Sequence, residues 1–224
     1  MRGSLFFNFF LFYFLFFFEA SGKTKTYFSP DNKPAEKLIK SIDNAKSRIY
    51  AAVFMITNNK IIDALIRAKN KNIDIQIITD SGSLTFQKNK INKILKSKIP
   101  IFVYNSSSEN KHFFNARMHN KFAIIDNWVW TGSFNWTYYA DTKNQENIIL
   151  MNKPKVILKY EKQFEIIKNE RTYPLTIEKL GQLVVSQNQK ITKSKNMQKK
   201  DNNSLKTKII SLLKEIRSKV KNEF

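Results

Sequence analysis

The segment Met118–Thr137 reads M-H-N-K-F-A-I-I-D-N-W-V-W-T-G-S-F-N-W-T and gathers most of the chain's reactive side chains. Side chains two apart on a strand point the same way, so His119 and Lys121 project together. Imidazole is the side chain whose unperturbed pKa straddles neutral pH, and its unprotonated nitrogen is a competent nucleophile. Lysine is a compact cation suited to a phosphate oxygen. Gly132 permits a tight turn or a close backbone approach, and Ser133 and Asn135, again two apart, add neutral donors to the same rim. Glu146 can hold one imidazole nitrogen and thereby set tautomer and ring orientation. Together these are the parts of a metal-free phosphoryl-transfer site: nucleophile, cation, donors and an orienting carboxylate.

Such groups need a scaffold, and the periodicity between Lys23 and Ser186 supplies one. Tyr27-Phe28 opens a short strand. Pro34 suits the first turn of a helix with Leu38, Ile39, Ile42 and Ala45 as its apolar positions. Arg48–Ile56 is a β-rich apolar run of the kind covered on both faces. Asn58 or Asn59 can cap a helix running through Lys71. Ile73–Thr79 is the next strand and ends at Asp80, which reads as a structural carboxylate. A helix over Phe86–Lys98 and a strand over Ile101–Tyr104 follow. The order β-α-β-α-β-α-β implies an α/β sandwich with a mostly parallel central sheet.

After a polar loop at 105–115, Lys121–Ile125 and Trp128–Thr131 read as strands joined by a tight Asp126-Asn127 turn. Glu146–Met151 is a last strand, and a helix over Lys153–Glu170 closes the body. Trp128, Trp130 and Trp136 read as core residues rather than as platforms for bases.

At these residues a resemblance becomes visible. His119-x-Lys121-x4-Asp126, followed by Gly132-Ser133-x-Asn135, resembles the HKD signature of the phospholipase D superfamily. The stretch YFSPDNKPAEKLIKSIDNAKSRIYAAVFMIT resembles the opening of that superfamily's small single-motif members, the bacterial endonucleases and the mitochondrial cardiolipin hydrolase (Zucchini-type) proteins. The likeness runs from about Tyr27 to Lys168.

The resemblance implies a phospholipase D-like α-β-α sandwich and a role for each residue. His119 matches the nucleophile that forms a phosphohistidine. Lys121 and Asn135 match the phosphate-binding pair, with Ser133 beside them. Glu146 matches the carboxylate that orients the histidine, and Asp126 matches the motif's aspartate, whose part is structural and electrostatic. Five residues separate Asp126 from Gly132 where the family commonly has six. The chemistry needs two histidines, one attacking and one protonating the leaving oxygen. This chain has one in the motif; His112, in the polar loop, reads as a surface residue. The family's solution is a homodimer whose two motifs meet across a two-fold axis. No cofactor or divalent metal is implied.

Composition bounds the rest. Cysteine is absent from the 224 residues, which excludes disulfides, thiol catalysis and the cysteine-ligated zinc module of many Zucchini-type proteins. Two histidines do not build a multi-histidine metal centre within one chain. Net charge is +21, from 39 basic and 18 acidic side chains, and favours an anionic partner. Only six of the basic residues are Arg, and the abundance of Lys, Asn, Ile and Phe attributes part of the charge to AT-rich codon usage.

Residues 1–22 read as a signal peptide or a membrane anchor. The apolar run at 5–18 is short of the ~20 residues of a spanning helix but within signal-peptide length. The protein is therefore expected to be exported, periplasmic or secreted, or held at a membrane. Residues 23–186 read as the catalytic domain. Residues 187–224 read as a basic linker followed by an amphipathic helical tail, with 11 basic against 3 acidic side chains. That leaves +13 on the body, since Arg2 and Glu19 cancel in the leader.

Two substrate readings follow. One is an endonuclease hydrolysing DNA or RNA. The other is a phospholipase D or cardiolipin hydrolase acting on phosphodiester lipid at an anionic membrane surface. A nuclease needs a basic groove open at both ends, and a lipase needs an apolar slot.

Overall fold

The computed structural model describes residues 22–104 and 116–221. The expected leader, up to residue 21, and the loop at 105–115 with His112 lie outside the described residues. In chain order the elements are β1 (Thr24–Ser29), α1 (Pro34–Asp43), β2 (Arg48–Val53), α2 (Asn59–Asn70) and β3 (Asp74–Asp80). A 3-10 turn (Ser81–Ser83), α3 (Leu84–Lys96), β4 (Ile101–Tyr104), β5 (Lys121–Ile125) and β6 (Trp128–Gly132) come next. The chain continues through α4 (Tyr138–Thr142), β7 (Glu146–Met151), α5 (Pro154–Arg171), β8 (Thr172–Pro174) and α6 (Ile177–Lys221).

Local chemistry starts several of these elements. Pro34 and Pro154 occupy the first turns of α1 and α5, where a missing N–H costs nothing. The Asn58 side chain caps α2 by accepting from the Lys60 amide at 2.9 Å. Thr137 caps α4 through the Ala140 amide at 3.1 Å.

All eight strands join one sheet in the order β1-β7-β6-β5-β2-β3-β4-β8. The expectation of a mostly parallel sheet is corrected here. Only β2–β3 and β3–β4 are parallel, and the other five neighbour pairs are antiparallel. The physical reason lies in the connections. Crossover helices return the chain to the same end of the sheet only from β2 to β3 and from β3 to β4. The Asp126-Asn127 turn makes β5 and β6 a hairpin, with Ile125 opposite Trp128. β1 does not lie beside β2 but pairs with β7, from Thr24 opposite Met151 to Ser29 opposite Glu146.

Strand alternation gives the sheet two buried faces. Tyr50 and Ala52 of β2, Ile78 of β3 and Phe122 and Ile124 of β5 pack with Ile157, Phe164 and Ile167 of α5. The intervening residues Ile49, Ala51, Val53, Ile75 and Ile77 are fully buried on the opposite face. The apolar sides of α1, α2 and α3, including Leu38, Ile61, Leu65 and Ile91, are buried as well. Trp130 and Trp136 are buried, in agreement with their reading as core.

The chain divides into two units between Ile177 and Glu178. The second consists of α6, which continues through Gln187–Asn203, the stretch whose composition reads as linker. No proline or glycine follows Gly181, and the lysines and glutamines there are good helix formers, so nothing local ends the helix. Among the described residues, no helix is long and apolar enough to cross a membrane.

Candidate active site

The site lies where β2 ends and β5 begins. Antiparallel register places Val53 opposite Lys121. The pairing continues one step further, with the Phe54 amide donating to the Asn120 carbonyl at 3.0 Å. Asn120 sits between His119 and Lys121, so this bond holds the motif at its midpoint.

Both reactive side chains then reach the Phe54 ring. The His119 imidazole meets it edge-on, with centroids 4.8 Å apart and planes at 61°. Lys121 Nζ lies 5.4 Å from the ring centroid and donates to the His119 carbonyl at 2.6 Å. Burial, and then the positive charge of Lys121, push the His119 pKa below the usual imidazole value, while Asp80 opposes them. That shift favours the unprotonated ring, the state a nucleophile needs. Burial also lowers the Lys121 pKa, and Glu146 opposes that shift.

β6 ends and β7 begins at this same end of the sheet, beside the start of β5. Gly132 has φ +146°, and a Cβ there would stand 2.1 Å from the Asn147 carbonyl oxygen, so only glycine fits. The Ser133 amide donates to Asn147 O at 3.1 Å and to Asn147 Oδ1 at 3.0 Å. The Asn147 amide returns a bond to Ser133 Oγ at 3.0 Å. Ser133 Oγ donates to Glu146 Oε2 at 2.5 Å, and Asn144 Nδ2 donates to Glu146 Oε1 at 3.0 Å. Glu146 thus engages Ser133 and Asn144 rather than the His119 imidazole within the described chain, and acts on Lys121 through its charge.

Asn135 lies on the segment between β6 and α4. Its neighbour Trp136 is clamped to the residues after Phe54: the Trp136 amide donates to Met55 O at 3.0 Å, and Trp136 O accepts from the Thr57 and Asn58 amides, both at 2.9 Å. Asn135 Oδ1 is buried and has no hydrogen-bond partner among the described residues. The five-residue interval from Asp126 to Gly132 is one turn residue, Asn127, followed by four residues of β6.

Asp126 is placed apart from this cluster. It follows β5, at the opposite end from Lys121, a strand length of roughly 16 Å at ~3.3 Å per residue. Its carboxylate accepts from the Lys46, Ser47 and Arg48 amides and from Ser47 Oγ, at 2.8–3.2 Å. Burial pushes its pKa up, but those four donors outweigh it and hold the carboxylate below its ordinary value. Grouped with His119 by the motif, Asp126 instead ties the β5–β6 hairpin to the start of β2.

Phe54, Asp80 and Asn147 are site neighbours that no local pattern in the sequence marks. Asp80 carried one signal, its position at the end of a parallel strand, where α/β sites form. It is 1% exposed; Oδ2 accepts the Met118 amide at 2.9 Å, and Oδ1 accepts the Gly82 amide at 2.8 Å and Arg117 Nη1 at 3.2 Å.

Comparison with known proteins fits this arrangement. A family profile described as a cardiolipin synthase, PLD-like domain matches residues 38–168. A mitochondrial cardiolipin hydrolase of Chlamydomonas reinhardtii is 34% identical over 125 residues, covering 55% of this chain and 52% of that protein. A phospholipase D of Rickettsia bellii is 30% identical over 130 residues, covering 58% of this chain and 61% of that one. The chain thus spans about half to three-fifths of the length of these curated relatives. Among solved structures, the phospholipase D family member Nuc from Salmonella typhimurium superposes with a TM-score of 0.61 at 27% identity, covering 69% of this chain and 98% of Nuc. NucT from Helicobacter pylori shares the fold, with a TM-score of 0.55 at 21% identity over 69% of this chain and 99% of its own.

Proposed function

Because the chain belongs to the phospholipase D-like family, we propose that it is a phosphodiesterase working through a phosphohistidine on His119. The observation that carries the reading is the placement of His119 and Lys121 on one aromatic ring, at the end of the sheet where Ser133 bonds Glu146 and Glu146 acts on Lys121 through its charge. An unprotonated imidazole nitrogen of His119 attacks phosphorus, and a P–N bond forms as the P–O bond to the leaving group breaks. Lys121 and the Asn135 amide hold the non-bridging oxygens, beside Ser133. Glu146 orients Ser133 and favours the charged form of Lys121.

The leaving oxygen takes its proton from His119 of another copy in a two-fold homodimer, which enters the reaction as the imidazolium while the attacking His119 is neutral. That imidazole then takes a proton from water as the water displaces His119 from phosphorus, so both histidines return to their starting states. The nucleophile is a side chain, and the reaction calls for no divalent metal.

Nucleic acid is the substrate class favoured by the +13 body and by the polar side chains at this end of the sheet, Lys121, Ser133, Asn144 and Asn147. The 34% identical cardiolipin hydrolase supports a second reading, a phosphodiester lipid. The test offers the full chain, in mild detergent with EDTA, labelled single-stranded DNA, RNA and cardiolipin vesicles in parallel, with His119→Ala as control. Cleavage of nucleic acid lost in the variant is the expected result. Release of phosphatidic acid with nucleic acid untouched assigns the lipid reading, and no cleavage of any diester overturns both.

A further inference from the structure

Phe54 lies outside the HKD motif, yet its ring and backbone touch that motif at three consecutive residues. Its amide donates to Asn120 O at 3.0 Å, its ring makes a T-shaped contact with the His119 imidazole, and its ring face lies under Lys121 Nζ. Its own carbonyl is held from behind by side chains of β3 and the following turn. Thr79 Oγ1 donates to Phe54 O at 3.2 Å and Ser83 Oγ at 2.8 Å, and Gln87 of α3 supports both hydroxyls. Gln87 also accepts the Ile56 amide on Oε1 at 2.7 Å, and its Nε2 donates to Ser83 Oγ at 2.6 Å and Thr79 Oγ1 at 3.1 Å. Thr79, Ser83 and Gln87 are all at most 1% exposed. A buried polar cluster this well satisfied fixes one geometry, because every departure leaves a group without its partner.

We propose that Phe54 is a positioning residue that sets the placement of His119 relative to Lys121, and that Gln87 with Ser83 and Thr79 locks Phe54 in place. The inference rests on the reading of His119 and Lys121 as the working pair. The physical logic is differential. The ring excludes water from one side of the imidazole and favours its neutral form. It also offers the ammonium an electron-rich face, so the ring holds Lys121 in place alongside the charge of Glu146. Placement errors near 1 Å at such a pair cost on the order of 100-fold in rate.

The test follows the His119 imidazole by NMR in the full chain carrying isotope-labelled histidine, with no substrate present. The chain has two histidines, so His112→Gln assigns the signals. In the unsubstituted chain, cross-relaxation between the Phe54 ring and His119 imidazole protons is expected. In Phe54→Leu the His119 signals lose their ring-current displacement and the titration moves up toward the ordinary imidazole value. Phe54→Tyr keeps both. On whichever diester is cleaved, Phe54→Leu lowers kcat by about 10- to 100-fold with little change in KM. A folded Phe54→Leu chain whose His119 signals and titration are unchanged overturns the proposal. If that variant does not fold, absence of the Phe54–His119 cross-relaxation in the unsubstituted chain overturns it instead. A chain inactive on every diester that still shows the contact and the shifted titration counts against the phosphodiesterase reading and leaves the positioning intact.

Discussion

Asp80 Oδ2 accepts the Met118 amide at 2.9 Å, one residue ahead of His119, and this bond fixes the approach of the motif to the sheet edge. Asp80→Ala leaves the Met118 and Gly82 amides without their acceptor and should cost roughly 1–3 kcal/mol, read by urea denaturation. Asp80→Asn keeps an oxygen for one amide and should lose less. In both, His119 loses the nearby negative charge that opposes its lowered pKa, so its NMR titration should move further down.

The lowered His119 pKa sets the acid side of the reaction. Attack requires the neutral ring, so the acid limb of kcat/KM should lie below the ordinary imidazole value of ~6.5. Lys121→Ala removes the like charge that contributes to the shift, and the His119 titration should move up. Stability follows the same sign. The unfolded imidazole takes up its proton first, so His119 makes the fold less stable as pH falls from about 6.5 toward the folded-state pKa. Chemical denaturation from pH 7.5 to 5, compared with His119→Gln, checks this.

Asp126 separates structure from chemistry. Asp126→Ala removes an acceptor bonded to three amides and a hydroxyl and should destabilise the fold by about 1.5–3 kcal/mol. Turnover measured well below its melting temperature should persist, in contrast to His119→Ala. Because the folded carboxylate has a depressed pKa, its contribution is present above the unfolded value of ~3.9 and is lost as pH falls through the folded pKa. The stability gap between Asp126→Ala and the parent should therefore close in acid.

Gly132→Ala tests the junction of β6 and β7. The methyl group would meet Asn147 O at 2.1 Å with φ at +146°, so strain of roughly 1–3 kcal/mol is expected along with separation of β6 from β7. That separation would break the Ser133–Asn147 and Ser133–Glu146 bonds. Diester cleavage should fall more steeply than the melting temperature alone predicts.

The candidate site residues are proposed from local features. His119 and Lys121 share a face because strand alternation has a period of two, and Gly132, Ser133 and Asn135 follow at the spacing that puts donors beside them. Helix phases, the Asn58 cap, Pro34 at a helix start, and the Asp126-Asn127 hairpin all depend on residues within a few positions of one another. Such features are written in the chain because their physical causes act over one or two turns.

What only the tertiary structure decided are the contacts that depend on which strand pairs with which. A run of strands and helices reads as parallel until β1 pairs with β7 and β5 with β2, because strand order is set by the burial of both sheet faces together. Asp126 serves the turn at Lys46–Arg48 because antiparallel β2 and β5 put the end of one beside the start of the other. The same register brings Phe54 under His119 and Lys121, and the β3 end brings Asp80 to Met118. Those pairs lie 38 to 80 residues apart in the chain, beyond the reach of any local periodicity.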